Sequence, residues 1–393
     1  MKIHNNKRPY IMGLLLLIGS LVGTKSHAQI ATEGEEDSLQ ICGSGNVGVG
    51  YNIMNYQAKA FAPGRIMMQP SVGLTSRTVW SASSTLGVRK AITDHQLHLA
   101  ADMALDLQDG VKLNKMYAEF KNLLVGFHAS SFGSADVTPK TLAGRPSSAV
   151  GSKALQLRFK YAINESLTWS LGVEQAAKFE LGDAKKNPTV ASDKRFLHDL
   201  PAGTINLRYD YPEAMGHLHI SGLGSMVQYY NTTEDKSYLK PAFGVNVGSE
   251  LQIVEDMTGL KAQFVYGQGI GKYIADLAGL EAEVNTVYFK PNTTTLSTIN
   301  AWGGCIALEH RWMPELRSTL AGSMLQVLDT KERAGLDPYK QCYKMGLSGS
   351  VSLSYHPTEQ LYFGGEYLHG YKTTLDGSKK HGNSFQIVSG FTF

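Results

Sequence analysis

The sequence predicts an all-β fold: a transmembrane antiparallel β-barrel of about 16 strands with an inward-folded third loop. Three observations predict it. From about Gly43 onward, short segments alternate strictly between apolar and polar residues, the period of a strand with two different faces. Many of these segments run to about ten residues, the length that crosses a bilayer at a tilt, where strands of a soluble sandwich are usually nearer five or six. The connections between them alternate short and long, the asymmetry of a barrel with short turns on one side of a membrane and long loops on the other.

The N-terminus reads as an export signal. Lys2, Lys7 and Arg8 form a basic region, an apolar stretch runs from Ile11 to Val22, and Ser26 and Ala28 hold the small-residue positions of a cleavage site. That stretch is too short to span a bilayer comfortably, so residues 1–28 are expected to be an address, with a mature start at Gln29. Loss of the four basic residues Lys2, Lys7, Arg8 and Lys25, and of no acidic one, takes the formal charge from +3 to −1. The basic balance therefore belongs to the leader, and no nucleic-acid partner is expected. Beyond it, no segment approaches a membrane-spanning helix.

The three cysteines, Cys42, Cys305 and Cys342, have neither a CxxC nor a Cys/His spacing, so no disulfide framework or zinc site is indicated and no cofactor is expected. A Cys305–Cys342 bridge stays open. Ile41 stands before Cys42 where lipidation wants a small residue.

Residues 29–42 are expected to form a short periplasmic segment and 43–393 the barrel. The strands fall at about 44–56, 84–92, 96–106, 114–121, 123–128, 153–162, 167–177, 202–211, 216–229, 241–252, 259–267, 298–311, 316–328, 343–355, 360–371 and 383–393. The clearest is 343–355, where Tyr343, Met345, Leu347, Val351, Leu353 and Tyr355 alternate with Lys344, Gly346, Ser348, Ser350, Ser352 and Ser354. Aromatics gather at strand ends, as at Tyr161, Tyr209 and Tyr355, where interfacial girdles belong. In the last strand Phe385, Ile387, Phe391 and Phe393 share one face, the pattern of a terminal barrel strand. An even strand count puts both termini on one side, with turns such as 121–122 and 163–166 there and loops 57–83, 129–152, 178–201, 268–297 and 329–342 opposite.

At about 16 strands a barrel is too wide for its own side chains to fill. Only residues 29–41 precede the first strand, too few for a plug domain, so a polar lumen is expected to pass hydrophilic solutes, narrowed by loop 129–152 with its Pro139 and Pro146. With the apolar partners facing lipid, the inward basic set includes Arg89, Lys115, Arg158, Lys160, Arg208, Lys261, Arg317 and Lys344, and the acidic set Asp102, Asp106, Glu119, Glu174, Asp210, Glu309 and Glu366. The two signs are expected on separate stretches of wall, with Arg89, Arg158 and Arg208 nearest mid-strand. Of the basic set, Arg89, Arg158, Lys160, Arg208, Arg317 and Lys344 are the candidate pore-constriction residues, drawing small anionic solutes. Pairing of the same arginines with lumen carboxylates, to hold loops in place, is an equal alternative. His217 and His219 share the inward face of one strand but lack a third metal ligand. The glycine run 267–271 has no helix after it and reads as a loop turn.

Several segments together resemble the DcaP-like trimeric outer-membrane porins, associated with uptake of dicarboxylates and other small organic anions. They are 122–132 (NLLVGFHASSF) with Thr138–Pro139 after it, 264–274 (FVYGQGIGKYI), 308–312 (LEHRW) with 316–320 (LRSTL), 355–357 (YHP), 364–370 (GGEYLHG) and the final Phe393. The resemblance implies sixteen strands, a Gram-negative outer membrane with its lipid as partner, a homotrimer and anionic solutes. Members of that family commonly carry a periplasmic coiled coil before the barrel, and the acidic stretch 33–37 has no heptads. Two readings from other classes remain beside it: an outer-membrane barrel enzyme of protease or lipase type, and a structural or adhesive barrel. The enzyme reading wants a nucleophile beside an outward His, and no segment presents one.

Overall fold

The computed structural model describes residues 39–53, 63–66, 76–92, 95–106, 110–176, 196–231, 235–278, 287–289, 296–328 and 342–393. The expected leader, and the preceding segment up to residue 38, lie outside the described residues. Sixteen strands form one antiparallel sheet: β1 (Leu39–Ile53), β2 (Ser76–Ile92), β3 (Leu97–Asp106), β4 (Gly110–Phe120), β5 (Leu123–Ala129), β6 (Lys153–Ala162), β7 (Leu167–Ala176), β8 (Phe196–Asp199, resumed at Ala202–Asp210), β9 (Gly216–Asn231), β10 (Lys236–Val254), β11 (Thr258–Gln268), β12 (Asn300–Met313), β13 (Leu316–Val327), β14 (Tyr343–Thr358), β15 (Leu361–Thr374) and β16 (Lys379–Thr392). The two parts of β8 pair with the same neighbour, β9, on either side of Leu200–Pro201. Pro201 has no N–H to give the ladder, which accounts for the break.

Closure is explicit in the register. β1 pairs with β2 from Leu39↔Lys90 to Ile53↔Ser76, and with β16 from Ser44↔Thr392 to Ile53↔Asn383. No strand edge is left over at the seam, as a barrel in lipid requires. The seven turns on one side are short. That at 163–166 is held by Asn164, whose Oδ1 accepts the N–H groups of Ser166 and Leu167 at 3.0 and 2.8 Å.

The faces are those of a barrel in lipid. In β14, Val351, Leu353 and Tyr355 are 49, 52 and 50% exposed, while Ser350, Ser352 and Ser354 are at most 9% exposed. A water-soluble sheet would bury the first set. Outward Leu155, Ile205, Phe264, Ile306, Leu320 and Phe385 repeat the pattern around the barrel.

Two expectations are corrected at strand ends. Tyr343 does not face lipid: a register shift between Tyr343 and Met345 makes Lys344 the extra residue of a bulge and turns Tyr343 inward, where it is 1% exposed. β2 begins at Ser76 and β8 at Phe196, well beyond the alternating cores visible in sequence. Arg89 and Arg208 therefore lie near the turn end of their strands, and of the three arginines only Arg158 is mid-strand. Cys305 and Cys342 are not joined by a disulfide.

The topology predicts that a cysteine placed at Ser378, in the turn between β15 and β16, is labelled from outside intact cells and one at Asn164 is not. The reverse labelling would invert the barrel.

Candidate functional site

The lumen is shaped by the segment between β5 and β6. It leaves the wall at Ala129 and crosses the interior, bonded throughout to inward side chains. Ser130 Oγ donates to Glu174 Oε1 of β7 at 2.6 Å, and Ser131 Oγ meets Thr204 Oγ1 of β8 at 2.7 Å. The carbonyl of Phe132 accepts Ser221 Oγ of β9 at 2.6 Å and Asn246 Nδ2 of β10 at 2.9 Å. Further on, the Lys140 N–H donates to Glu309 Oε1 of β12 at 2.8 Å, and the N–H groups of Ala143 and Gly144 donate to Glu366 Oε2 of β15 at 2.6 and 3.2 Å. On its return the Ser147 N–H donates to Ser323 Oγ of β13 at 2.7 Å and the Val150 N–H to Gln263 Oε1 of β11 at 3.1 Å. Loop 130–152 is thus folded inward and pinned to the wall formed by β7 to β15. Glu174, Glu309 and Glu366 spend their charge on its hydroxyl and backbone N–H donors. Charge-assisted bonds of this kind are about twice as strong as neutral ones.

Glycines make the fit possible where the loop presses on the wall. A Cβ at Gly248 of β10 would come within 2.6 Å of Val137, and one at Gly364 of β15 within 2.6 Å of Leu142. The glycine run read as a turn does the same work beside it. Gly269 has φ +70°, and a Cβ at Gly267 would meet the carbonyl of Phe243 at 2.4 Å, so β10 and β11 close together only with glycine there. Ile270, Tyr273 and Ile274 then pack with Phe132 and Val150 into an apolar cluster inside the barrel.

With one wall covered, the free lumen runs along β16 and β1 to β6. Arg158 faces it, half-buried, between the charges of Glu119 and Glu174. Lys115 pairs with Asp102 at 2.9 Å. Arg145, from the loop itself, has the accessible surface of an exposed residue although it sits inside the barrel, as lumen side chains do. Among the described residues it bonds no carboxylate. Lys153 and Lys115 lie near enough to act on one another, with Arg145 beside them. Arg89 lines a cavity of about 610 Å³ at the turn end, with His98, Tyr117, Glu119 and Lys121. Lys160 is exposed on the face of β6 that carries Arg158.

The other three candidates lie elsewhere. Arg208 is bound on two sides, by Asp210 at 2.8 Å and by Asp136 of the loop at 2.7 Å, and serves as an anchor. Burial pushes the Asp136 carboxyl up, but the hydrogen bond and charge of Arg208 outweigh it and hold the group below its ordinary range. Arg317 lines a separate cavity of about 320 Å³ under the loop, and Lys344 sits on the bulge at the outer end of β14. The expected separation of signs is also corrected. Lys115 with Asp102, Arg208 with Asp210, and Lys261 between Glu250 and Glu309 at 3.7 and 3.5 Å interleave the charges pair by pair. Buried charges need partners, so the wall mixes them locally. Sequence reading missed Arg145, whose only signal was its place in a proline-framed loop. His219 meets Asn206 at 3.0 Å, and His217 lies 3.9 Å from Glu250.

At the outer mouth a piece of the first loop, Pro63–Ile66, is fastened inside. The Gly64 N–H is shared by both carboxylate oxygens of Asp276, at 2.8 and 2.9 Å, and Lys372 Nζ donates to the Gly64 carbonyl at 2.9 Å. Ile66 packs on Leu368 and Ala143. Burial raises the Asp276 carboxyl to about 6, against the opposing pull of Gly64, Tyr343, Lys372 and Arg65. The segment's own contacts, the Gly64 N–H and the Arg65 charge, favour the ionised carboxylate, while burial favours the protonated one.

These features define the class: a closed antiparallel barrel of sixteen strands, with its third loop folded into the lumen. The DcaP outer-membrane channel of Acinetobacter baumannii has a similar structure, with a TM-score of 0.72 at 17% identity over 91% of this chain and 97% of that one. OprB of Pseudomonas putida follows at 0.57 and 10% identity, over 90 and 94% of the two chains. An anion-selective porin from Comamonas acidovorans gives 0.56 and 9%, over 91 and 100%. No family model matches the chain, and no curated protein does. At these identities the likeness is one of fold.

Proposed function

We propose that the protein is an outer-membrane porin: an exported barrel, its apolar belt in the outer membrane of a Gram-negative cell, passing small hydrophilic solutes by diffusion and favouring small anions, dicarboxylates in particular. The observation that carries this reading is the attachment of loop 130–152, among the described residues, to the wall of β7 to β15. It narrows the lumen and leaves a passage on the side where Arg145, Lys115, Lys153 and Arg158 gather. Among the described residues Arg145 forms no ion pair with a carboxylate, Lys153 bonds Asn114 instead, and Arg158 faces the same lumen from β6. Two separated basic groups suit a dianion better than a monoanion. The attraction has to stay weak, since a site that binds tightly does not conduct. The family resemblance of the sequence and the barrel's likeness to channels support the same reading, and the resemblance adds a homotrimer.

Proteoliposomes test it. Labelled succinate should enter faster than choline, and Arg145→Gln should lower the succinate rate with little effect on a neutral sugar. Equal succinate and choline rates would remove the anion preference and leave a general channel. Crosslinking in intact membranes should give a ladder ending at three subunits.

A further inference from the structure

The cavity beneath loop 130–152 holds two arginines that face one another. Arg311 of β12 and Arg317 of β13 are directly opposite in the ladder, and both fall on the inward side of their strands. Like charges directly opposite destabilise a sheet unless something lies between them. Among the described residues neither guanidinium has a hydrogen bond or ion pair, and Arg317 Nε is sealed from solvent without an acceptor. Such a group is costly to leave unmade.

Two residues along the same strands stands Glu309, opposite Thr319. Strand spacing puts its Cα roughly 8 Å from that of Arg317. The two do not pair. Glu309 instead accepts the Lys140 N–H and faces Lys261 at 3.5 Å, and Lys261 faces Glu250 at 3.7 Å. Two carboxylates share the Lys261 ammonium at this end, while at the other Arg311 and Arg317 have no ion pair among the described residues; Lys140 and Asp256 also line the cavity. Ser352 and Ser354 line the stretch between.

We propose that this cavity is a subsite for zwitterionic amino acids, the α-carboxylate held by Arg311 and Arg317 and the α-ammonium turned to Glu309 and Glu250. A plain anion satisfies the arginines but meets the carboxylates, and a plain cation meets the reverse. Only a solute with both charges a few ångströms apart satisfies both ends. The volume of about 320 Å³ suits a small molecule. The inference rests on the lumen being a solute path and names one solute class for it.

Saturation-transfer NMR on the detergent-solubilised protein at pH 7 tests this with three probes of similar size: L-alanine, propionate and ethylamine. Alanine should half-saturate at a concentration about tenfold or more below either of the others, the scale of one charge-assisted bond. Arg317→Gln should bring alanine close to ethylamine, with Arg311→Gln as the second variant and heat-modifiable gel mobility showing that each still forms a barrel. Propionate binding as tightly as alanine, or ethylamine doing so, would overturn the proposal on the unaltered protein alone. So would an Arg317→Gln protein that binds alanine as before. Absence of ion conductance in a planar bilayer would count against the channel reading and leave the binding result standing; conductance with equal binding of the three probes would count against this inference alone.

Discussion

Glu366→Ala is expected to raise single-channel conductance severalfold. Glu366 Oε2 takes the N–H groups of both Ala143 and Gly144, at the point where loop 130–152 reaches farthest across the lumen. Without it two enclosed donors lose their acceptor, at about 1–3 kcal/mol each. Leu142 and Gly144 press on Gly364 and Leu368 through contacts that hold only while the loop is seated. The other attachments, from Glu174 of β7 to Ser323 of β13, lie before β15 in the wall, so the middle of the loop is expected to lift away and widen the passage. Barrel stability should change little, because the sixteen-strand ladder does not depend on this loop. Conductance unchanged from the wild type would mean that the loop is held by its ends and that Glu366 is incidental.

Val351→Arg should impair assembly by roughly 2–4 kcal/mol, the depth-dependent penalty for a charge on the lipid face of a barrel. Val351 lies at the centre of β14, 49% exposed, between outward Leu320 and Tyr367 in the ladder. Its neighbour Ser352 points the other way, into the cavity beneath the loop. An arginine there has polar surroundings to extend into, and Ser352→Arg should assemble nearly as well as the parent. Urea unfolding in lipid vesicles measures both. Equal damage at the two positions would contradict the assignment of faces.

Most of the fold was legible because lipid on one side and water on the other force a two-residue period. A strand such as β6, with Leu155, Leu157, Phe159 and Tyr161 outward, declares itself. Legibility failed where that contrast fails. Near the outer ends of β9 to β14 the inward residues are Leu223, Val265, Leu325 and Tyr343, because they meet packed loops instead of water. Apolar residues then lie on both faces, and parity alone misplaced Tyr343. The upper part of β2 carries Ser81, Ser83 and Ser84 in place of a clear pattern, and its true start was missed. Of the candidate arginines, sequence could place Arg158 in the lumen, but whether a charge is free or paired depends on residues far away in the chain. Arg208 is bound to Asp136, 72 residues earlier, and Lys261 to Glu309. No local spacing encodes that, and it is why one expected constriction residue became an anchor while Arg145 went unnoticed.

An open channel must draw its preference for anions from local placement of basic groups, since residues 29–393 carry a formal net charge of only −1. Reversal potential in a planar bilayer under a salt gradient tests it most directly. The sign should report anion preference, shrink as salt rises and the Debye length falls below the width of the lumen, and diminish in the Arg145→Gln, Arg158→Gln double variant. Cation preference in the wild type, or a double variant with the wild-type potential, would contradict the account.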